Sequence, residues 1–517
     1  MIDPHRSAPS PAERSLAAGD NRRFLGHPSG LAMLFNVELW ERFSYYGMRA
    51  ILAYYLYAAM AEGGLGLDQT TAAVVVATYG ASVYLLAVVG GFLADRLLGA
   101  RRTTLYGGIV IMAGHLCMAV PGIPAFSWLG LALIALGTGF LKPNISTMVG
   151  ALYTASDPRR DAGFQLFYMA INIGGLLAPL VVAFLRHRWG FHAGFATAAA
   201  GMGVALLVYV LFTRTLHGAG NAVPNPLPPA ARRRLPWLAG ALLLGTGLLY
   251  LLTGLWHGGE ASAQAARVND VVFVMAIAAS LYYFRAMLRH PLSSATDRRH
   301  VRAYLPLFIG ACFFWMVFEQ AAGYMALFAE ANTKLALGSF QIDPEWYQSV
   351  NPVSILLLAP LFGWLFTRRA GRFPSTPMKF ASAVLLIGLS AGIMSWLFAA
   401  YPADGPVKAA FWMLAGVFVL QTLAELMLSP VGLSATTALA PAHFASQVMS
   451  LWFLTLAVGQ GLAGQIIQFT HGQSPAQSYL INAVLTLGIA LVLFAVVPWT
   501  RRQMQDIEEA RRLVVRG

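Results

Sequence analysis

Four charged side chains, Glu38, Glu41, Arg42 and Arg49, fall inside one otherwise apolar stretch, with Tyr45 and Tyr46 between them. At helical spacing Glu38, Arg42, Tyr45 or Tyr46, and Arg49 line one stripe, and Glu41 lies beside it. Carboxylates and guanidinium groups so arranged can pair, take up a proton, or release a partner to a charged solute. In a bilayer helix each such charge costs roughly 2.5–3.5 kcal/mol even on the mild insertion scale. The stripe is therefore expected to face the inside of a bundle or an aqueous cavity. A fixed ion network that specifies helix packing is the plainer alternative. Lys142, Glu319 and Glu425 stand in apolar runs of their own. For them the plainer alternatives are a snorkelling lysine and purely structural carboxylates.

Such residues need helices to hold them at membrane depth. The chain of 517 residues is 57% hydrophobic and 11% charged, against about 25% charged in soluble domains. At roughly 20 apolar residues per span, about fourteen transmembrane helices are expected. They lie near 29–60, 69–98, 102–121, 125–152, 161–187, 191–214, 236–256, 269–289, 302–330, 346–368, 375–400, 407–438, 444–470 and 476–500. The segments are too long, and lack the alternation, for a transmembrane barrel.

The fold class expected is an all-α integral membrane protein of major-facilitator type. A first six-helix bundle occupies 29–214, a connector with two inserted helices 215–300, and a second six-helix bundle 301–502. Residues 1–28 read as a disordered N-terminus and 503–517 as a tail. The inserted pair, with no charge at mid-span, reads as a lipid-facing appendage.

The net charge of +13 speaks of topology. Arginines gather at 22–23, 96–102, 159–160, 232–234, 298–302, 368–372 and 501–502, while the alternate connections are acidic or neutral. The positive-inside rule then puts both termini in the cytoplasm. Arg186-His-Arg188 disagrees, since it belongs to an outer connection. Nucleic acid is not expected as a partner, because no soluble basic surface exists. Arg22-Arg23 faintly matches a twin-arginine signal, but the following stretch carries Glu38 and Glu41 and has no small-residue cleavage site. Cys117 and Cys312 read as small buried hydrophobes.

Several runs are more specific. Gly90-Gly91-Phe-Leu-Ala-Asp95-Arg96 through Arg102 resembles the major-facilitator loop between helices two and three. Glu38-x-x-Glu41-Arg42-Phe-x-Tyr45-Tyr46 matches the first-helix signature of the proton-coupled oligopeptide transporter family. Phe167-Tyr168-Met-Ala-Ile-Asn172-Ile-Gly174 resembles its second signature, although Gly175 stands where Ser is usual. Gly139-Phe-Leu-Lys142-Pro143-Asn144, Phe314-Trp315-Met-Val-Phe-Glu319-Gln320 and Gln421 through Pro430 are similar to its fourth, seventh and tenth helices. The resemblance spans about residues 29–502 and includes the inserted pair typical of bacterial members. The expected second span contains no histidine, whereas animal members carry a coupling histidine there.

The resemblance implies a symporter that imports di- and tripeptides with protons, not an enzyme. A peptide is a zwitterion, so its site needs a cationic end, an anionic end and tolerant walls. The implied arrangement sets the substrate carboxylate toward Arg42 and Lys142, with Arg49 as a further cation. Its amino group faces Glu425, with Asn172 and Asn351 nearby. Tyr46, Tyr84, Trp315 and Trp452 would form the side-chain pocket. Proton coupling would run through Glu38, Glu41, Arg42, Lys142 and Glu319. An Arg49–Glu319 pair would close the outer side, and Asp95 and Arg96 would serve gating. No cofactor or metal is expected, and a monomer in the lipid bilayer is. The competing solutes are nitrate or a peptide-like drug. Glu425 argues against a simple anion, which gains nothing from a buried carboxylate. An enzyme would show an acid/base or metal constellation at one interface, whereas these ionisable groups are spread over both halves.

Overall fold

The computed structural model describes residues 22–154, 157–255, 257, 261–368, 374–441, 444 and 448–507. Among them fifteen α-helices run in sequence. They are α1 (Ser29–Tyr57), α2 (Gln69–Leu93), α3 (Ala100–Ala119), α4 (Pro124–Gly150), α5 (Arg160–Trp189), α6 (Phe191–Phe212), α7 (Pro229–Thr253) and α8 (Ala261–Arg289). The second half adds α9 (Ala295–Phe318), α10 (Tyr324–Ala331), α11 (Tyr347–Arg368), α12 (Thr376–Ala400), α13 (Phe411–Leu439), α14 (Val448–Phe469) and α15 (Pro475–Gln503). Most of the N-terminal stretch expected to be disordered, and the end of the tail, lie outside the described residues.

Among the described residues twelve helical stretches are long and apolar enough to cross a membrane by themselves. The other two expected spans are α1, 29 residues carrying four charges, and α3, 20 residues that open Ala-Arg-Arg. Local chemistry sets several boundaries. Asp68 caps α2, its carboxylate accepting from Thr71 N at 3.0 Å. Ser294 and Asp297 form a reciprocal capping box at α9. Gly99, at φ +78, ends the π-helical turn Ala94–Leu98 where an L side chain would be strained.

The span expected over 302–330 is broken. α9 stops at Phe318, a single 3-10 turn covers Glu319–Ala322, and α10 follows. The break places Glu319 and Gln320 beside the interface between the halves rather than inside a regular helix.

In the first bundle α1 packs on α5 and α6, and α3 packs on α4. A Cβ on Gly137 would stand 2.5 Å from Gly107 O, so α3 and α4 touch backbone to backbone there. In the second bundle α12 packs on α13 and α15, and α9 on α14. The bundles meet along α2 with α14 and along α5 with α11. The described ends of the chain, near residues 22–28 and 504–507, and the connections after α2, α4 and α6 share one face, called here the terminal face. The connections after α1, α3, α5 and α10 lie on the opposite face.

The inserted pair departs from expectation. The apolar stretch of α7 has none of its residues buried, as a lipid-facing appendage requires. α8, however, starts at Ala261, takes in Asp270, and packs against both α2 and α14.

Candidate functional site

A cavity of about 130 Å³ opens between the bundles. Tyr46, Arg49 and Tyr84 wall it from the first half, and Trp315, Glu319, Gln348, Asn351, Gln421 and Glu425 from the second. A larger cavity of about 600 Å³, between α2, α4 and the inserted pair, is lined by residues such as Leu65, Trp128 and Val268 and by no charged side chain. The smaller one is lined by Arg49, Glu319 and Glu425, whereas Glu38, Glu41, Arg42 and Lys142 are not among its lining residues.

On α1, Arg42 Nε lies 3.2 Å from Glu38 Oε1 and 2.5 Å from Glu41 Oε2. The three side chains are 3%, 1% and 2% exposed for Glu38, Glu41 and Arg42. Removing water from such ions costs several kcal/mol each, so the pairing is obligatory. Room for it comes from α5: a Cβ on Gly174 would stand 2.9 Å from Arg42 Cβ and 2.5 Å from Leu39 O. One oxygen of each glutamate and Nη2 of Arg42 are buried with no protein partner among the described residues.

Lys142 approaches the same region from α4. Its Nζ donates to Tyr84 Oη at 2.7 Å and lies 4.1 Å from that ring's centre. Among the described residues no carboxylate is within ion-pair distance of it. The Tyr45 ring is flanked by both cations, Arg42 at 5.2 Å and Lys142 at 5.8 Å.

Arg49 pairs with the Glu319 carboxylate across the two halves, and its Nη2 also donates to Glu319 O at 3.1 Å. On the second half, Asn351 Nδ2 donates to Glu425 Oε2 at 2.8 Å and to Thr422 Oγ1 at 3.0 Å. Glu425 has no cation within ion-pair distance among the described residues.

Other expected residues sit apart. Asn172 Nδ2 donates to Tyr168 O on its own helix at 2.9 Å rather than to Glu425. Trp315 borders the cavity, but Trp452 stands behind it, edge-on at 6.4 Å between ring centres and packed over Gly432. Asp95 and Arg96 lie on the terminal face, away from the cavity. Asp95 accepts from Asn225 Nδ2 at 3.1 Å, and Arg96 is 3.5 Å from Asp95, tying the connector to the first bundle.

A second ion network escaped the sequence reading. Arg186, at the end of α5, pairs with Glu345 and lies 3.3 Å from Glu330, both from the other half. Its guanidinium rests on the rings of Tyr54 at 4.8 Å and Phe191 at 4.4 Å. His187 stands 3.4 Å from Glu345 and 3.5 Å from Asp343. The available signal was the misplaced basic cluster at 186–188, which breaks the positive-inside pattern because it has carboxylates to meet. Gln348 was also missed, and Gln421 entered only as the start of the tenth-helix motif and not as a cavity residue; an amide in an apolar helix gives no signal that separates a cavity wall from a packing contact.

Comparison with known proteins agrees with this architecture. The POT family profile (PTR2) matches residues 101–494. A di-/tripeptide transporter of Lactococcus lactis subsp. cremoris is 39% identical over 497 residues, covering 94% of this chain and 98% of the relative. A crystal structure of a POT peptide transporter in complex with sulfate superposes with a TM-score of 0.86 at 40% identity, covering 96% of this chain and 99% of that one. A POT family transporter in complex with 5-aminolevulinic acid gives a TM-score of 0.87 at 33% identity, covering 94% and 99%. With the two bundles, the inserted pair and matches over nearly its whole length, this chain belongs to the POT family of membrane transporters.

Proposed function

We propose that the protein is a proton-coupled symporter that imports di- and tripeptides by alternating access, working as a monomer with both termini in the cytoplasm. The charge balance around the cavity carries this reading. In ionised form three cations (Arg42, Arg49, Lys142) meet four carboxylates (Glu38, Glu41, Glu319, Glu425). Arg49 and Glu319 cancel. Two glutamates on Arg42 leave one carboxylate over, which Lys142 balances from beyond contact distance. Glu425 is left with an amide instead of a cation.

A proton on Glu38 or Glu41 removes the charge that balances Lys142. The site then needs an anion, since an unbalanced buried cation is costly. A peptide carboxylate fills that need beside Arg42 and Lys142, while its ammonium group meets Glu425 and Asn351. One proton and one zwitterion bring the whole site to neutrality. Tyr46, Tyr84 and Trp315, backed by Trp452 and Asn172, supply walls with few fixed donors, which favours broad side-chain tolerance. Protonating Glu319 releases Arg49 and lets the opposite face, taken as the outside, open. Asp95 and Arg96 serve gating on the terminal face. An inside-negative potential adds about 2.3 kcal/mol per charge per 100 mV to uptake.

A second reading keeps the site and changes the solute to another small amino acid-like zwitterion. It is favoured by the POT family neighbour in complex with 5-aminolevulinic acid, which also carries one amine and one carboxylate. Nitrate fits worse, because Glu425 would face it with the wrong sign.

The test is uptake of labelled dialanine into proteoliposomes under an acidic exterior and an inside-negative potential. Wild-type accumulation should collapse with an uncoupler. Glu41→Gln should lose accumulation while keeping counterflow exchange. A folded wild type that exchanges no dialanine would overturn the peptide reading and leave the second one.

A further inference from the structure

We infer that the inserted helix α8 is fixed to the second bundle and holds the first by a releasable catch, Asn269 on Thr78, that keeps the outer ends of α2 and α14 together. The inference rests on the alternating-access reading above.

Asn269 is fully buried and its amide spans the two halves. Its Nδ2 donates to Gly461 O on α14 at 3.1 Å, and its Oδ1 accepts from Thr78 Oγ1 on α2 at 3.1 Å. The two arms are unequal. Thr78 has a single hydroxyl proton, which it also offers to Val74 O at 2.7 Å, so the α2 arm is a shared bond.

The α14 side has further ties. Gln465 Nε2 donates to Asp270 Oδ1 at 2.7 Å. Gly464 leaves the space that Asn269 fills, since a Cβ there would stand 2.4 Å from Asn269 Oδ1. Gly461 likewise admits Phe273, whose Cδ2 would lie 2.9 Å from an added Cβ. With Gln468 Nε2 donating to Ala266 O at 3.4 Å, three side-chain hydrogen bonds and a glycine groove thus bind α8 to α14. The hydrogen bond that ties α8 to α2 is the shared proton of Thr78.

The level of the contact gives it a consequence. Thr78, Gly461 and Asn269 all lie on the outer side of their helices, the side that must part when the opposite face opens. Opening separates α2 from α14, and the weaker arm is the one that breaks. α8 then travels with α14. Hydrogen bonds between helices in a bilayer are modest, which suits a contact made and broken in every cycle.

Spin labels at Gln69→Cys, the first residue of α2, and Gln473→Cys, just past α14, in a Cys117→Ser, Cys312→Ala background in lipid nanodiscs, report the outer separation of α2 and α14. Thr78→Val keeps the side-chain shape and removes the hydroxyl. It should raise the ratio of outward-open to outward-closed molecules roughly two- to tenfold, the worth of one hydrogen bond. Asn269→Ala should do at least as much, and Thr78→Ser should restore the wild-type distribution. A Gln264→Cys, Gln473→Cys pair (α8 to α14) should keep one distance in all of them.

Superimposable distributions for wild type, Thr78→Val and Asn269→Ala would overturn the catch, as would an α8 to α14 distance that changes with opening. Dialanine exchange by the wild type is measured in parallel. Shifted distances without exchange would sink the peptide reading and leave the catch, and the reverse pattern would sink only the catch.

Discussion

The two bundles treat intramembrane charge in opposite ways. The first concentrates it: Glu38, Glu41 and Arg42 form a nearly water-free cluster on one helix, with Lys142 held nearby by Tyr84. The second disperses it, with Glu319 spent on Arg49 across the interface and Glu425 held by the amide of Asn351. A cluster can redistribute a proton among its members without losing its partners. A lone carboxylate on an amide has no such partners, and on the proposed reading it is the group that meets the ligand's ammonium. On the function proposed above, coupling belongs to one bundle and recognition of a cationic group to the other.

The largest effect should come from breaking the cluster. Arg42→Met strands two carboxylates in a space closed to water and should cost about 3–5 kcal/mol of stability, read as a lower Tm in detergent. Glu425→Gln should leave Tm nearly unchanged. Equal Tm losses would erase the distinction between the bundles.

The next effect is on transport. Glu425→Gln should reduce dialanine uptake roughly 100-fold, in line with truncating one partner of a buried charge pair. N-acetylated dialanine, which has no ammonium group, should be insensitive to the same change. Parallel losses for both substrates would remove Glu425 from amine recognition.

Asn351→Ala sharpens the comparison further by leaving the carboxylate and removing its amide donor. It should raise KM for dialanine about tenfold, the worth of one hydrogen bond to a charged group, with kcat little changed. A fall in kcat with constant KM would instead make Asn351 a structural hinge.

The smallest effect is expected at the rim. Arg186→Ala frees the half-exposed Glu330 but leaves buried Glu345 with His187 at 3.4 Å, and with that second partner kept it should raise the outward-open fraction only about two- to fivefold. Arg49→Ala, whose pair borders the cavity, should exceed it in the same spin-label assay.

Much of this was legible in the chain. The apolar runs gave the helices, and the expense of charge in a bilayer marked Glu38, Glu41, Arg42, Lys142, Glu319 and Glu425 as interior residues. The motif around Asn172 and Gly174 pointed to α5, although its glycine turned out to make room for Arg42 while Asn172 bonds its own helix. The inserted pair was misjudged in part. Its span was read as starting at 269, so Asp270 fell at an edge and the buried face of α8 gave no visible stripe.

Hydropathy and local spacing set which segments cross the membrane and which charges must be hidden, because both follow from transfer energies of single residues and from helix geometry within a few turns. They left partners undetermined. Arg49 and Glu319 are 270 positions apart, and Arg186 and Glu345 are 159 apart. Which distant ions meet depends on how two bundles cross and where glycines let backbones approach, and those distances exist only once the whole chain has packed. Lys142 with no carboxylate, and Glu425 with no cation, within ion-pair distance among the described residues likewise became visible only in the packed chain, because being unpaired is a property of a neighbourhood and not of a residue.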